Sequence, residues 1–285
     1  FAGEFAAERN IPLLQIQHHY AHFLSCYFEN GLKGKAAGVI FDGTGYGTDG
    51  TVWGGEILVG DIHTFVRRGR LSLFPLPGGD RAIREPWRIL SGLLGKERFF
   101  EVCSWVDRSI LENVLEISAR KEFSPLTSSA GRLFDAAGAL LGFNKNISYE
   151  AEGAVYLEML ALKSGSEEYI PCFIKDENGL VTIDSAKLIK ALYERKSAGG
   201  SLPDLAKIFH NSLVEGIAEM LSVICSESGI DQVLLSGGVF QNRIMLREAE
   251  KRLASNGFKV FINKKIPSND AGISAGQAIY GVYNA

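Results

Sequence analysis

Three histidines stand together in the run His18-His19-Tyr20-Ala21-His22. Residues four apart on a helix share one face, so a helical run lets His18 and His22 offer two imidazoles to one ion. His19 points about a hundred degrees away and is the poorer ligand. The alternative for the pair is a helix N-terminus whose polar side chains are satisfied locally. Asp42 ends the apolar run 36–41 and opens Asp42-Gly43-Thr44-Gly45-Tyr46-Gly47-Thr48-Asp49-Gly50. A carboxylate at a strand end, followed by glycines whose N–H groups can converge on anionic oxygens, is suited to a metal–phosphate site. A glycine-rich hairpin turn has the same composition. Leu235-Ser236-Gly237-Gly238-Val239-Phe240-Gln241-Asn242 reads as a strand, a glycine pair and a helix start, where a nucleotide can approach the backbone. It has neither the GxGxxG nor the P-loop spacing, which excludes a Rossmann or Walker assignment. Asp270, in Asn269-Asp270-Ala271-Gly272, is either the N-cap of the last helix or an oxygen ligand.

These residues need elements to carry them. The spacing predicts a short strand over 13–17, a helix over 18–29, a buried strand over 36–41 and a hairpin of strands 52–59 and 63–74. A glycine-containing loop over 75–86 leads to helical pieces from 87 to about 119, then helices over 131–141 and 151–162. A strand pair at 169–175 and 180–183 precedes a helix over 185–195. Apolar residues at Leu205, Ile208, Phe209, Leu213, Ile217, Leu221 and Ile224 mark one packed helix over 204–227. A strand at 232–236, a helix at 243–256, a strand at 258–262 and a final helix from about 271 complete a βαβα unit. Its strands should be parallel, with ligands at their carboxyl ends. The softest boundary lies at 197–203. It divides the chain into 1–196, with the histidine motif and a helical region, and 197–285, with the nucleotide-binding unit. Asp270 then belongs to the other half from His18, His22 and Asp42, and a shared ion would clamp the two halves.

A net charge of −3 gives no electrostatic footprint for nucleic acid, so such a partner is not expected. No apolar run of the eighteen or so residues needed for a span stands out, and no membrane is expected. The four cysteines lie far apart with no CxxC pair, which argues against a ribbon zinc site and for four buried thiols in a reducing cytoplasm. His63 and His210 lack partner spacing and read as structural.

Taken in order, several motifs resemble the C-terminal domain of the HypF hydrogenase-maturation family. They are His18-His19-Tyr20-Ala21-His22, the 42–50 loop, Pro77-Gly78-Gly79-Asp80, Arg84-Glu85-Pro86-Trp87-Arg88 and Ser129-Ala130-Gly131-Arg132-Leu133-Phe134-Asp135. Tyr149-Glu150-Ala151-Glu152, Ser236 to Asn242 and Asn269 to Gly272 complete the set. The wider relatives are antibiotic O-carbamoyltransferases and tRNA threonylcarbamoyl transferases, and the acidic balance weighs against the tRNA branch.

The resemblance implies an α/β fold of the ASKHA (actin/hexokinase-like) type with two lobes. Only seventeen residues precede the histidine motif, so the first lobe is expected to be truncated at its N-terminus. It implies a mononuclear iron or zinc held by His18, His22, Asp42 and Asp270, a donor set that does not choose between the two metals. It also implies an adenine nucleotide, carbamoyl adenylate, made from ATP and carbamoyl phosphate in an upstream YrdC-like domain of the parent chain. The nucleotide would meet Gly43, Thr44, Gly45, Gly237, Gly238 and Asn242, with Asp135, Glu150 and Glu152 where the family holds the nucleoside. Asp135 has a plain alternative as a solvated helical residue. Arg84 and Arg88 are placed with Asp42 in the catalytic set, to neutralise phosphate or acyl oxygens, although surface ion pairing explains them equally well. The implied reaction passes a carbamoyl group to the C-terminal cysteine of HypE, on the way to the cyanide ligands of nickel–iron hydrogenase. An O-carbamoyltransferase, a tRNA-modifying relative and a non-catalytic HypE-docking fragment are the competing expectations.

Overall fold

The computed structural model describes residues 2–226 and 228–284. Helices α1 (Ala2–Arg9) and α2 (His18–Glu29) precede strands β1 (Ala36–Tyr46), β2 (Val52–Gly60), β3 (Phe65–Leu71) and β4 (Phe74–Pro75). Short helices α3 (Asp80–Arg84), α4 (Leu90–Leu93), α5 (Lys96–Val102) and α6 (Arg108–Ser118) lead to β5 (Leu126–Thr127). Then come α7 (Ala130–Leu140), α8 (Glu152–Ala161), β6 (Ile174–Glu177), β7 (Leu180–Ile183), α9 (Ser185–Ser197) and α10 (Leu202–Ser226). Glu227, where the expected long helix ends, lies outside the described residues. Strand β8 (Gln232–Ser236), helix α11 (Arg243–Ser255), strand β9 (Lys259–Ile262) and helix α12 (Ile273–Asn284) complete the order.

The strands form one mixed sheet in the order β6-β7-β3-β2-β1-β8-β9, with β4 and β5 joined beside β2. Strand β1 runs antiparallel to β2 and parallel to β8, which is parallel to β9. Alternate side chains of a strand point to opposite faces, and both faces of β1 are covered. Ala37, Val39 and Phe41 join a large core with residues of α7 and α10, whereas Ala36 and Ile40 join a smaller one with Phe23 and Leu24 of α2 and Ile279 of α12. That two-sided burial explains why 36–41 reads as a continuous apolar run. Helix α10 is long and apolar enough to cross a membrane by length and composition, and 72% of its most apolar stretch is buried inside the fold.

The sheet does not break at the 196/197 boundary. Ala37 through Ile40 of β1 pair with Val233 through Ser236 of β8, and the larger core draws side chains from both sides.

Three element expectations are corrected. Residues 13–17 form no strand: Leu13 and Leu14 are each 45% exposed, and Gln17 instead caps α2, its side chain accepting from the Tyr20 N–H. The second hairpin strand starts at Phe65 rather than His63, because Asp61 accepts from the His63 and Thr64 N–H groups and holds a turn there. The strand expected from Tyr169 starts at Ile174. Upstream of it the chain docks on α10, where Ser212 Oγ takes the Ile170 N–H and the Cys172 thiol meets the Ser212 carbonyl.

Candidate metal centre and nucleotide cavity

Strand β8 ends at Ser236 beside Ile40 of β1, whereas β1 does not end at Phe41 as expected but runs on to Tyr46, with an irregularity in its pairing to β2 between Phe41 and Gly45. The chemistry-bearing residues gather at that irregularity. Phe41 is followed by Asp42, and Ser236 by Gly237. Gly237 has φ 100° and its Cα faces the Phe41 carbonyl, so a side chain there would collide with backbone. The next residue, Gly238, donates its N–H to Asp42 Oδ1 at 3.1 Å. One Asp42 oxygen is thereby fixed by the β8 turn, and the other faces α2.

On that side, His18 Nε2 lies 3.1 Å from Asp42 Oδ2 and 3.4 Å from Asp270 Oδ1. His22 Nε2 lies 3.5 Å from the same Asp42 oxygen and 3.4 Å from the same Asp270 oxygen. One ligand atom from each of the four residues lies within 4.8 Å of all the others. Asp270 is free to face the histidines because Asn269, not Asp270, caps the turn, accepting from the Ala271 N–H. Helices α2 and α12 pack directly against each other, so closely that a side chain at Gly276 would strike the Ala21 carbonyl. The four residues thus meet at one end of one sheet, not across a cleft between two halves. Glu29, at the end of α2, accepts from the Lys264, Lys265 and Ile266 N–H groups and secures the loop that leads to Asp270.

The electrostatics favour a cation here. Burial opposes charge on Asp42, but the His18 hydrogen bond and the nearby His22 imidazole hold its carboxyl well below the usual range. Burial pulls His18 down, whereas its hydrogen bond to Asp42 and the charges of Asp42 and Asp270 raise it, and the net shift is upward. His22 is fully buried and neither ring nitrogen has a hydrogen-bond partner. Buried polar atoms rarely go unpaired, and a metal ion held by the four residues would give Nε2 a partner. Two imidazoles and two carboxylates therefore fit the mononuclear iron or zinc implied by the family. His19 stays outside this cluster. Its Nδ1 is 3.1 Å from Gln17 Nε2, its ring packs near Trp53, and burial drops its pKa to about 3.

A cavity of about 370 Å³ opens beside the cluster. Its wall includes Asp42 and Asp270 together with Gly43, Asp135, Glu150, Gly238 and Asn242. Asp135 is fully buried and neither carboxylate oxygen has a hydrogen bond. Burial pushes it up to about 6, against the pull of Arg132. Asn242 lines the space, but its side chain is committed elsewhere. Its Oδ1 caps α11 and its Nδ2 lies 2.9 Å from His210 Nε2, which gives His210 the structural role expected of it.

Other expected site residues lie apart. Thr44 is exposed and its hydroxyl turns to the Gly43 carbonyl, while Gly45 sits under the His18 and His19 rings. Gly237 shapes the turn without lining the cavity. Arg84 is exposed and away from the cavity. Arg88 is buried, with Nε 2.5 Å from Glu85 Oε2 and its guanidinium over Trp87. The alternative of ion pairing, not anion neutralisation, is the one this geometry matches for Arg88. Arg132, a member of the 129–135 motif with no expected role of its own, also faces the cavity. It is 7% exposed and lies three residues from Asp135 on α7. The sequence offers for it only an i, i+3 spacing to Asp135 on the helix, which does not by itself tell a buried pair from an exposed one.

Comparison with known proteins places this geometry in a family. A profile described as "Carbamoyltransferase, Kae1-like Domain, second subdomain" matches residues 38–277. The carbamoyltransferase HypF of Rhodobacter capsulatus is 37% identical over 96% of this chain and 36% of its own length. That of Rhizobium leguminosarum bv. viciae is 35% identical over 95% of this chain and 35% of its own length. The chain therefore spans little more than a third of these curated relatives. A crystal structure of full-length HypF in a phosphate- and nucleotide-bound form is similar with a TM-score of 0.92 and 38% identity, covering 98% of this chain and 44% of that one. The structure of T. kodakarensis HypF gives 0.88 and 30%. With its expected ASKHA-type α/β fold, the chain belongs to the HypF carbamoyltransferase family.

Proposed function

We propose that this chain carries out the carbamoyl-transfer step, moving the group from carbamoyl adenylate to the C-terminal cysteine of HypE. One observation carries the reading: Asp42 and Asp270 belong both to the His/Asp cluster and to the cavity wall. A nucleotide seated in the cavity then has its reactive end at the cluster. The adenylate is proposed to come from a YrdC-like domain of the parent protein, and the reducing cytoplasm expected from the cysteines keeps the acceptor thiol free.

His18, His22, Asp42 and Asp270 would hold the iron or zinc ion, which when bound supplies Lewis acidity toward phosphate or carbamoyl oxygens. Gly238 fixes the Asp42 carboxylate through its N–H. The Asp135 oxygens stand ready to accept from ribose hydroxyls, and Glu150 lies at the exposed rim. In the transfer the acceptor cysteine, its proton already released to water, bonds as thiolate sulfur to the carbamoyl carbon as the carbon–oxygen bond to phosphate breaks, and AMP leaves with that electron pair. The chain's own thiols are poor nucleophiles. Burial raises all four, Cys103 and Cys172 to about 12 and Cys225 to about 11.

The test supplies carbamoyl adenylate and a HypE C-terminal peptide and follows both chains by mass spectrometry. Carbamoyl on the peptide cysteine, with AMP released and the chain unmodified, is the expected result. Carbamoyl accumulating on Cys26, Cys103, Cys172 or Cys225 as a competent intermediate overturns direct transfer. Transfer to a hydroxyl acceptor in preference to the peptide points instead to O-carbamoylation.

A further inference from the structure

Arg132 is buried in an arrangement that its pairing with Asp135 does not satisfy. Its Nη2 lies 3.1 Å from Asp135 Oδ2, yet Asp135 keeps two oxygens, and Arg132 its Nε, without a hydrogen bond. A guanidinium has five donors in a planar fork, and burying one with donors unused is costly. The local fold holds it there. The N-cap of α7, Ser129, accepts from the Arg132 N–H, and its hydroxyl reaches the Asp42 and Gly43 carbonyls at 2.8 and 2.7 Å. Gly131 packs against Gly43, where a Cβ would come 2.8 Å from the Gly43 Cα. The guanidinium then lies over Gly43, with Nη2 3.6 Å from where a Gly43 Cβ would stand. Arg132 Nη2 thus sits between Gly43 and Asp135 in the wall of the cavity.

Unused acceptors at Asp135 and an unused donor at Arg132, side by side in the cavity wall, are complementary to a molecule that carries both hydroxyl donors and anionic oxygens. We infer that Arg132 is the phosphate-binding residue of the cavity, engaging the phosphate of a nucleoside monophosphate whose sugar hydroxyls meet Asp135. The inference rests on the cavity being the nucleotide site. Arg132 thereby sets a preference for phosphorylated over bare nucleoside, and holds the phosphate beside the Asp42 corner.

Calorimetry with AMP and with adenosine, on the metal-replete chain, separates the possibilities. The quantity read is the ratio of the adenosine to the AMP dissociation constant. Wild type should favour AMP, and Arg132→Gln should reduce that ratio by about ten-fold or more, the scale of one charge-assisted hydrogen bond. Adenosine affinity should change little. Arg132→Lys keeps the charge without the fork and should fall between the two; it serves as the test if Arg132→Gln does not fold. A ratio unchanged in either folded variant, or equal loss of both ligands, makes Arg132 only a support for Asp135 and overturns the inference. Wild type binding neither ligand would instead overturn the underlying nucleotide-site reading.

Discussion

At the scale of single residues, the site is made by giving each oxygen and nitrogen one task. Asp42 Oδ1 is taken by the Gly238 N–H, which leaves Oδ2 for the histidines, and Asn269 takes the capping role that frees Asp270. Replacing His22 or Asp270 with Ala removes one of four converging ligand atoms. Metal affinity should fall by more than the roughly 10–100-fold that follows loss of a merely supporting partner. His19→Ala should keep stoichiometric metal, because its ring faces Gln17 and Trp53, while losing about 2–4 kcal/mol of stability from the space left in the core. Elemental analysis of the purified variants, beside their thermal unfolding, checks this. Metal retained in the His22 and Asp270 variants would remove the centre from the account. The histidine pair was legible because helical spacing is a local property, and Asp42 because it closes an apolar run, although the strand continues past it to Tyr46. Arg132 was not, since an Arg and an Asp three apart on a helix look alike whether the helix faces solvent or lies buried. Arg88 pairs with its neighbour Glu85, the ion-pairing alternative that the i, i+3 spacing already offered.

At the scale of elements, the centre depends on two helices that share a face of the sheet. The bounds of α2 and β8 agree with those expected, although α2 buries the nine consecutive residues His19 to Tyr27 and so shows no one-sided apolar period. The region 169–175 departs from a strand because Ile170 and Cys172 hydrogen-bond to Ser212 of α10, a partner 42 and 40 residues away that no local pattern reveals. Contact between α2 and α12 was hidden likewise, although Gly276 was its trace in the sequence. A Cβ there meets the Ala21 carbonyl, so Gly276→Ala should wedge the helices apart and draw Asp270 away from His22. Overpacking of this kind costs about 1–3 kcal/mol. Weaker metal retention should accompany the loss, as read by thermal unfolding and metal titration. Gly281→Ala, on the same helix with open space at its Cβ, is the control and should bind metal normally. Equal behaviour of the two variants would mean that the helix contact does not position Asp270.

At the scale of the whole molecule, the exposed stretch 197–201 looks like a boundary, yet the structure passes straight through it. Glycine-rich and polar, it has the composition of a linker, and composition says nothing about which strands pair. Strand β8 lies beyond it and pairs in parallel with β1 before it, while α10 packs on α8, α9 and β7. Residues 197–285 alone would hold two parallel strands, with the β1 edge of β8 bare and one face stripped of α2. Parallel strands are stable with both faces covered, so this piece has no complete core of its own. Limited proteolysis at 197–201 should therefore give two fragments that co-elute on gel filtration in native buffer, still holding metal, and separate only in denaturant. Unfolding of the nicked protein should remain a single transition, at lower temperature than the intact chain. Fragments that part in native buffer and each melt cooperatively would instead make 1–196 and 197–285 independent folding units, and the shared sheet would then be an interface between them.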